Sequence, residues 1–202
     1  MPTIKIEVRG LKEAAASVDP AIFEKASRRT VNEVAKKART AISDEIRTKY
    51  TVKAGELKGR MALTLASQKN GLVRIRIAGK KIPLTGFTGT RQTQRGVSVE
   101  VIRGQRRVIS HAFLLGSGSD RRVWWRTWRM KGESKPHGTT PRSQGAKLPK
   151  HMREPITQVR SVSAAGMFDQ PYVWRMVEKL VETDYGPTMQ RNIAFYSRQV
   201  TP

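Results

Sequence analysis

The sequence predicts an α+β fold: a long N-terminal helix and a C-terminal helix packed on a small antiparallel β-sheet, with a long basic loop. Three observations predict it. Apolar residues recur at helical spacing between residues 20 and 50, alternate at strand spacing between residues 61 and 128, and return to helical spacing from residue 171. This order of elements is an α+β plan, and we treat residues 1–202 as one domain.

The first predicted elements are a short strand and the long helix. Ile4, Ile6 and Val8 alternate with charged residues, as in a half-buried strand. Asp19 then supplies an N-cap, and Pro20 suits the first helical position. The apolar face of this helix, which is predicted to end near residue 50, comprises Ile22, Phe23, Ala26, Val31, Val34, Ala35, Ala38, Ile42 and Ile46. The other face, which we interpret as a solvated surface, carries Arg28, Arg29, Lys36, Lys37 and Arg39.

A first hairpin is predicted after the helix. Residues 61–67 and 72–79 flank a stretch that contains Asn-Gly, a strong hairpin signal. Because side chains alternate along a strand, Val73, Ile75 and Ile77 are expected to face inward, and the arginines between them outward.

A second hairpin follows a predicted loop. Residues 81–96 contain glycines, threonines and a proline without a clear period, so we predict a loop there. Residues 97–102 and 107–113 then alternate on either side of the turn RGQR, which predicts a hairpin.

The segment RRVWWRTWR, residues 121–129, predicts a further strand. It places three tryptophans and four arginines in nine residues. Trp124, Arg126 and Trp128 should share one face. Val123, Trp125 and Thr127 should share the other.

The rest of the chain is predicted to be a basic loop followed by a helix. Residues 131–151 have too few apolar side chains to fold alone, so we predict a long loop or arm, and we interpret residues 152–168 as a transition. Asp169 is the predicted cap of a helix with a proline in its first turn and an interruption at Gly186-Pro187. The apolar face of this helix comprises Tyr172, Val173, Met176, Val177, Leu180 and Val181, and continues at Met189, Ile193 and Tyr196.

The charge is concentrated in the middle of the chain. The 202 residues carry a net charge of +23, and the part from Leu57 to Arg153 holds 22 Lys and Arg against three acids, a net charge of +19. This excess favours an acidic partner, either nucleic acid or an acidic protein surface. The absence of cysteine excludes disulfides and argues against structural zinc. We expect no transmembrane helix and, since the N-terminus lacks the apolar core of a signal peptide, a cytoplasmic protein.

No catalytic constellation is apparent, so we expect no enzyme, cofactor or metal. His111 lies in a predicted strand and is interpreted as a packed histidine, while His137 and His151 fall in the basic loop. His151 and Glu154 share a predicted helical turn, but one such pair does not make a metal site. Neither a Walker loop nor a nucleophile elbow occurs.

The candidate functional residues are therefore binding residues. Tryptophans at strand spacing serve as core or interface anchors, and with arginine they also suit base stacking, although no RNP motif, KH loop, zinc finger or helix-turn-helix is present. The candidate protein interface is Trp124, Trp125, Trp128, Arg121, Arg122 and Arg126. The candidates for docking or DNA contact are Arg91, Arg95, Arg103, Arg106, Arg107, Lys131, Lys135, Arg142, Lys147 and Lys150.

The order of segments resembles the prophage minor tail protein Z family, the tail completion proteins of lambda-like and related phages. Three stretches carry the resemblance: the long helix that runs into "KYTVK" and a strand, the stretch from "IPLTGF" through "GVSVEV" to "HAF", and "VWWRT" followed after a loop by "REPI". Together they cover the chain from about Pro20 to Gln199. None of these motifs is catalytic, and their shared order carries the likeness.

The resemblance implies a structural role late in tail assembly. Such proteins act at the head-proximal end of the tail, where they enable head–tail joining and influence the position of the DNA end and its ejection. The implied partners are other copies of the chain in a ring of sixfold or related symmetry, tail terminator or tube proteins, head–tail connector proteins and the phage DNA end. The implied location is the tail or neck of the virion, after assembly in the host cytoplasm, without a membrane partner. A nucleic-acid-binding protein outside a virion is the alternative.

Overall fold

A computed structural model describes residues 18–68, 71–126 and 156–200. Within them the α+β class and both long helices are confirmed. The described strands form two strand pairs and two three-stranded sheets, and not the single sheet expected. The chain divides into two compact units: one holds the chain up to Lys49, residues 54–80 and the chain from Val162 onward, and the other holds Tyr50–Lys53 and Lys81–Ser161. The predicted strand at residues 4–8 and the loop at 131–151 lie outside the described residues.

The first unit is built on helix α1, Pro20–Lys49. The predicted N-cap is confirmed, because the Asp19 carboxylate accepts hydrogen bonds from the backbone N–H groups of Ala21 at 2.7 Å and Ile22 at 3.3 Å. Its buried face comprises Ala26, Thr30, Val34, Ala35, Ala38, Ile42, Ser43 and Ile46. Each fully buried Ile or Val on this stripe contributes roughly 1.5–3 kcal/mol to folding.

The second long helix, α4, runs from Pro171 to Val200 and packs along α1. It continues through Pro187, so the predicted break is wrong. Gly186 and Pro187 lie on the exposed side, whereas Thr188 and Met189 are buried immediately after them. Since a proline in a helix costs about 3 kcal/mol, the burial of the residues that follow it outweighs the lost hydrogen bond.

A short helix precedes α4 where a transition was predicted. Helix α3, Ala164–Phe168, is capped by the Ser163 hydroxyl, which accepts from the Gly166 N–H at 3.1 Å. Asp169 is the C-cap of α3 and not the N-cap of α4. The carbonyl of Gln170 accepts the first hydrogen bonds of α4 instead.

The first unit also contains the first predicted hairpin. A short helix α2, Ala54–Lys58, leads into strand β1, Met61–Thr64, which pairs antiparallel with β2, Arg74–Ile77. Ile77 is buried and the arginines of β2 are exposed, so the predicted faces are confirmed.

The second unit begins its strands inside the predicted loop at residues 81–96. This stretch holds strand β3, Lys81–Pro83, a 3₁₀ turn at Leu84–Gly86, and strand β4, Arg91–Thr93. The loop prediction is wrong because these short elements are fixed by distant partners. Val52 pairs with Phe87, for example, and Phe87 is fully buried.

The remaining strands of the second unit form two three-stranded antiparallel sheets. Strand β4 pairs with β5, Gly96–Glu100, and β5 pairs with β6, Arg106–Ser110, which confirms the second hairpin. The other sheet contains β7, Phe113–Leu115, β8, Arg122–Arg126, and β9, Ile156–Gln158. A last strand, β10, Arg160–Ser163, pairs with β3. The core of the unit comprises Leu84, Val97, Val99, Ala112 and Val123.

One buried polar contact ties the two long helices together at a fixed register. The Asn192 amide donates to the Thr30 hydroxyl at 2.9 Å, and this hydroxyl lies 3.5 Å from the sulfur of Met189. Thr30 and Asn192 are 0% and 1% exposed, so water cannot replace either partner.

We predict that Thr30→Val lowers the free energy of unfolding by about 1–3 kcal/mol, because it leaves a buried amide N–H without its acceptor. Urea unfolding measures the loss. Thr40→Val is the control, since Thr40 is exposed on the same helix, and it should change the free energy by less than about 0.5 kcal/mol. Equal losses in the two variants would show that the buried contact does not matter.

Candidate interface on the aromatic sheet

The sheet of β7, β8 and β9, called the aromatic sheet below, has two chemically different faces. Trp124 lies directly opposite Phe113 on one neighbour and Gln158 on the other, and Trp125 lies opposite Thr157. Side chains alternate along a strand, so consecutive residues of β8 point to opposite sides. The predicted alternation is therefore confirmed for residues 123–126, whereas Thr127 and Trp128 lie outside the described residues.

The inner face contains Val123 and Trp125. Val123 is 1% exposed in the core of the unit, and Trp125 packs against this core. The indole N–H of Trp125 donates to the carbonyl of Ser110 at 3.0 Å, which satisfies its polar atom. The Trp125 ring therefore contributes to folding, and its assignment to the interface stays a prediction.

The outer face combines aromatic and aliphatic side chains. Phe113 and Trp124 are half-buried and directly paired, and such cross-strand aromatic pairs stabilise a sheet. Leu115 and Ile156 beside them are 51% and 39% exposed. These four side chains place apolar surface on the exposed side of the sheet, which makes this face a candidate interface.

Arginines surround this strip. The guanidinium of Arg126 lies 5.5 Å from the centre of the Phe113 ring, within reach of a cation–π contact. Arg160 donates two hydrogen bonds to the Gln158 side-chain oxygen, at 3.0 and 2.8 Å, and so extends along the same face. Arg122 is half-buried on β8. No residue of the three strands is acidic, so the outer face is aromatic, aliphatic and cationic.

Sequence reasoning missed part of this face. Ile156 and Arg160 fall in the stretch interpreted as a transition, and Phe113 and Leu115 were not singled out. The signal was present in ITQVRSV, residues 156–162, where four of the seven residues are β-branched, as is typical of strands. Because this segment is short and far in sequence from the other strands, its place in their sheet was not predicted.

The hairpin arginines do not form one patch. Arg103 lies in the turn between β5 and β6, but Arg106, which was predicted in the turn, and Arg107 are both in β6. Arg106 is paired with Glu100 at 3.1 Å and donates to the Ser98 hydroxyl at 3.3 Å, so it supports the sheet. Arg107 lies opposite Val99, on the other side of the sheet from Arg106.

The other predicted contact residues are dispersed. Arg91 is exposed on β4, and Arg95 is exposed in the turn before β5. Arg121 is exposed just before β8, and its carbonyl accepts from the Thr85 hydroxyl at 2.9 Å. The predicted contact residues that lie outside the described residues are Trp128, Lys131, Lys135, Arg142, Lys147 and Lys150.

The second unit has few acids to balance its cations. Its described residues hold eleven Lys and Arg against Glu100 and Asp120, a net charge of +9. The Glu100 carboxylate accepts from the Gly104 N–H at 2.9 Å. This hydrogen bond, with a smaller contribution from the Arg106 guanidinium, lowers the pKa of Glu100 below its usual range. The carboxylate therefore stays ionised and closes the turn of the hairpin.

His111 is not the packed histidine that was predicted. It is exposed, and its φ of 61° places it in the left-handed region, directly after β6. In the part of the chain that the structure describes, no three His, Cys, Asp or Glu side chains are grouped as metal ligands would be. Within the same part, no helix is long and apolar enough to cross a membrane.

No match to this chain was found among protein-family models, curated proteins or solved structures.

We predict that Trp125→Ala lowers the free energy of unfolding by about 2–4 kcal/mol, because it opens a cavity against the core and removes the bond to Ser110. Trp124→Ala should cost about 1 kcal/mol or less, since it removes a cross-strand pair on an open face. Urea unfolding followed by circular dichroism compares them. A larger loss at Trp124 than at Trp125 would reverse the assignment of the two faces.

We predict that the contribution of Glu100 to stability depends on pH. Because folding lowers the pKa of Glu100, its contribution to stability is complete above the ordinary value of 4.5 and is lost as the pH falls through the lowered value. The amide proton shift of Gly104, followed by NMR, should titrate with a midpoint below 4.5. Glu100→Gln should abolish this titration, and a midpoint at or above 4.5 would contradict the ionised hydrogen bond.

Proposed function

We propose that the protein is a structural tail completion protein of a tailed phage or prophage. It acts at the head-proximal end of the tail by self-association, in a ring of sixfold or related symmetry, and by docking to tube, terminator or connector proteins. It makes the tail competent to join a filled head and positions the DNA end for ejection, without catalysing a reaction. The family resemblance of its segments supports this proposal.

The observation that carries the proposal is the outer face of the aromatic sheet. Aromatic residues and arginine supply much of the binding energy at protein interfaces, and here Trp124, Phe113 and Arg126 lie together. Exposed Leu115 and Ile156 extend the apolar area that a partner would cover. A protein that acts by docking needs such a face, and it does not need a catalytic cluster.

The chemistry of the face supports an acidic protein surface as its partner. Arg122, Arg126 and Arg160 surround the apolar strip, and the strands contain no acid to repel a carboxylate. Tight binding to DNA in the channel would oppose ejection, because each neutralised phosphate adds affinity. The face is therefore assigned to protein, and contact with DNA is limited to its end.

The test is electron microscopy of lysates from a phage that lacks this gene. Filled heads beside separate tails are expected, and the wild-type gene supplied in trans should restore joined particles. Trp124→Ala combined with Arg126→Gln should restore few, while Arg175→Gln, on the exposed side of α4, should restore them fully. Intact, infectious particles without the gene would refute the proposal.

Nucleic-acid binding outside a virion is the second candidate. The net charge of +9 on the described part of the second unit, together with the Arg126–Phe113 contact, favours it, since arginines bind phosphates and aromatic rings stack on bases. Binding through six or more phosphates should weaken by roughly a thousandfold between about 50 and about 200 mM salt. Weak binding without this steep dependence would reflect charge alone.

A further inference from the structure

A second basic surface lies in the first unit, apart from the aromatic sheet. A cavity of about 310 Å³ opens along α1, and its lining includes four cationic side chains and a single carboxylate, Glu33. The cationic side chains are Lys25, Arg28, Arg29 and Lys36. We call this feature the basic cavity. This face of α1 was predicted to be a solvated surface.

The walls of the basic cavity are held in place. The Asn32 side chain donates to the carbonyl of Ala66 at 3.1 Å and accepts from its N–H at 2.8 Å. These two bonds fix the segment after β1 against α1, including Leu65, which lines the cavity. Because these hydrogen bonds already fix this wall of the cavity, little conformational entropy is lost there when a ligand binds.

The carboxylate does not neutralise the cavity. Glu33 accepts from the Arg29 guanidinium at 2.9 Å and is also paired with Arg191 on α4. The bond from Arg29 is the main cause that lowers the pKa of Glu33, so this group stays ionised at neutral pH. Two guanidiniums share this one charge, which leaves Lys25 and Lys36 without an acidic partner among the described residues.

The cations form a row and not a cluster. Lys25 and Lys36 are eleven residues apart on one helix, which is about 16 Å at 1.5 Å per residue. This length suits a chain of several anionic groups and exceeds the reach of a single phosphate or carboxylate.

Aromatic rings lie at the same site. Tyr196 lines the cavity, and its ring meets that of Phe195 edge to face with centroids 5.2 Å apart. Phe195 is 43% exposed, and the Arg29 guanidinium lies 4.6 Å from its ring centre. An acidic peptide has no need of such rings, but the bases of a single strand stack on them.

We propose that the basic cavity binds a short segment of single-stranded nucleic acid, with phosphates along Lys25, Arg28 and Lys36 and a base against Tyr196. The proposal does not depend on the role of the aromatic sheet in tail assembly.

The test must separate this site from the charge of the whole chain, because a protein of net charge +23 attracts any polyanion. The site variant is Lys25→Gln/Arg28→Gln/Lys36→Gln. The control is Arg175→Gln/Lys179→Gln/Arg198→Gln, which removes the same charge from exposed positions on α4. Binding of a fluorescent oligothymidylate of ~12 nucleotides is followed by anisotropy over a range of salt concentrations.

The site variant should bind roughly tenfold or more weakly at about 100 mM salt, and its slope of log affinity against log salt should be shallower by about 2, as expected for three lost phosphate contacts. The control should change the slope far less. Tyr196→Ala should also weaken binding by roughly tenfold, and Tyr196→Phe should not. Equal losses in the two triple variants would overturn the proposal. Displacement by a polyglutamate peptide as effective as by unlabelled oligothymidylate would also overturn it, in favour of an acidic protein ligand.

Discussion

Sixteen carboxylates for thirty-nine Lys and Arg leave most cations of this chain without an acid of their own, and several of the carboxylates are committed to the fold. Glu33 holds a guanidinium from each long helix, and Glu100 closes the β5–β6 turn. Asp184 on α4 pairs with Lys37 on α1 at 2.7 Å. Since these acids are occupied, the other cations nearby face solvent or a partner.

This shortage separates cations that are paired within the fold from those that are not. Arg106 is paired and bonded on the outside of its sheet, and Arg29 is paired and packed on a ring. Exposed ion pairs contribute little energy, typically below about 1 kcal/mol, so burial of apolar side chains supplies most of the stability. The charge excess in the second unit costs self-repulsion, which a partner of opposite charge would relieve.

Local signals predicted the elements that depend on near neighbours. Asp19 and Pro20 marked the start of α1, and alternation predicted the β5–β6 hairpin. Elements that depend on distant contacts were missed. Phe87 is buried through its pairing with Val52, and α4 continues through Pro187 because buried residues follow it.

The outer face of the aromatic sheet was predictable only in part, for the same reason. Alternation separated Trp124 from Trp125, but the sequence did not reveal which of the two faces the core. The inward side of β8 is set by its pairing with β7 and by the hydrogen bond from Trp125 to Ser110. Alternation along a single strand reveals neither contact. The basic cavity was hidden in a different way. From the sequence alone, its cations are indistinguishable from an ordinary solvated helix face. The structure adds a second wall, the segment at Ala66, which Asn32 holds against the helix.

The aromatic sheet and the basic cavity should differ in how their binding depends on salt. The aromatic sheet offers exposed Leu115 and Ile156 beside its arginines, so part of its binding energy is apolar and persists when salt screens the charges. The basic cavity would rely mainly on cations around one carboxylate, Glu33, which is ionised and paired with two guanidiniums, so its binding should fall steeply with salt. The salt dependence of binding therefore distinguishes the two surfaces. If both surfaces bind as proposed, a complex held by the aromatic sheet should persist at high salt, and one held by the basic cavity should dissociate.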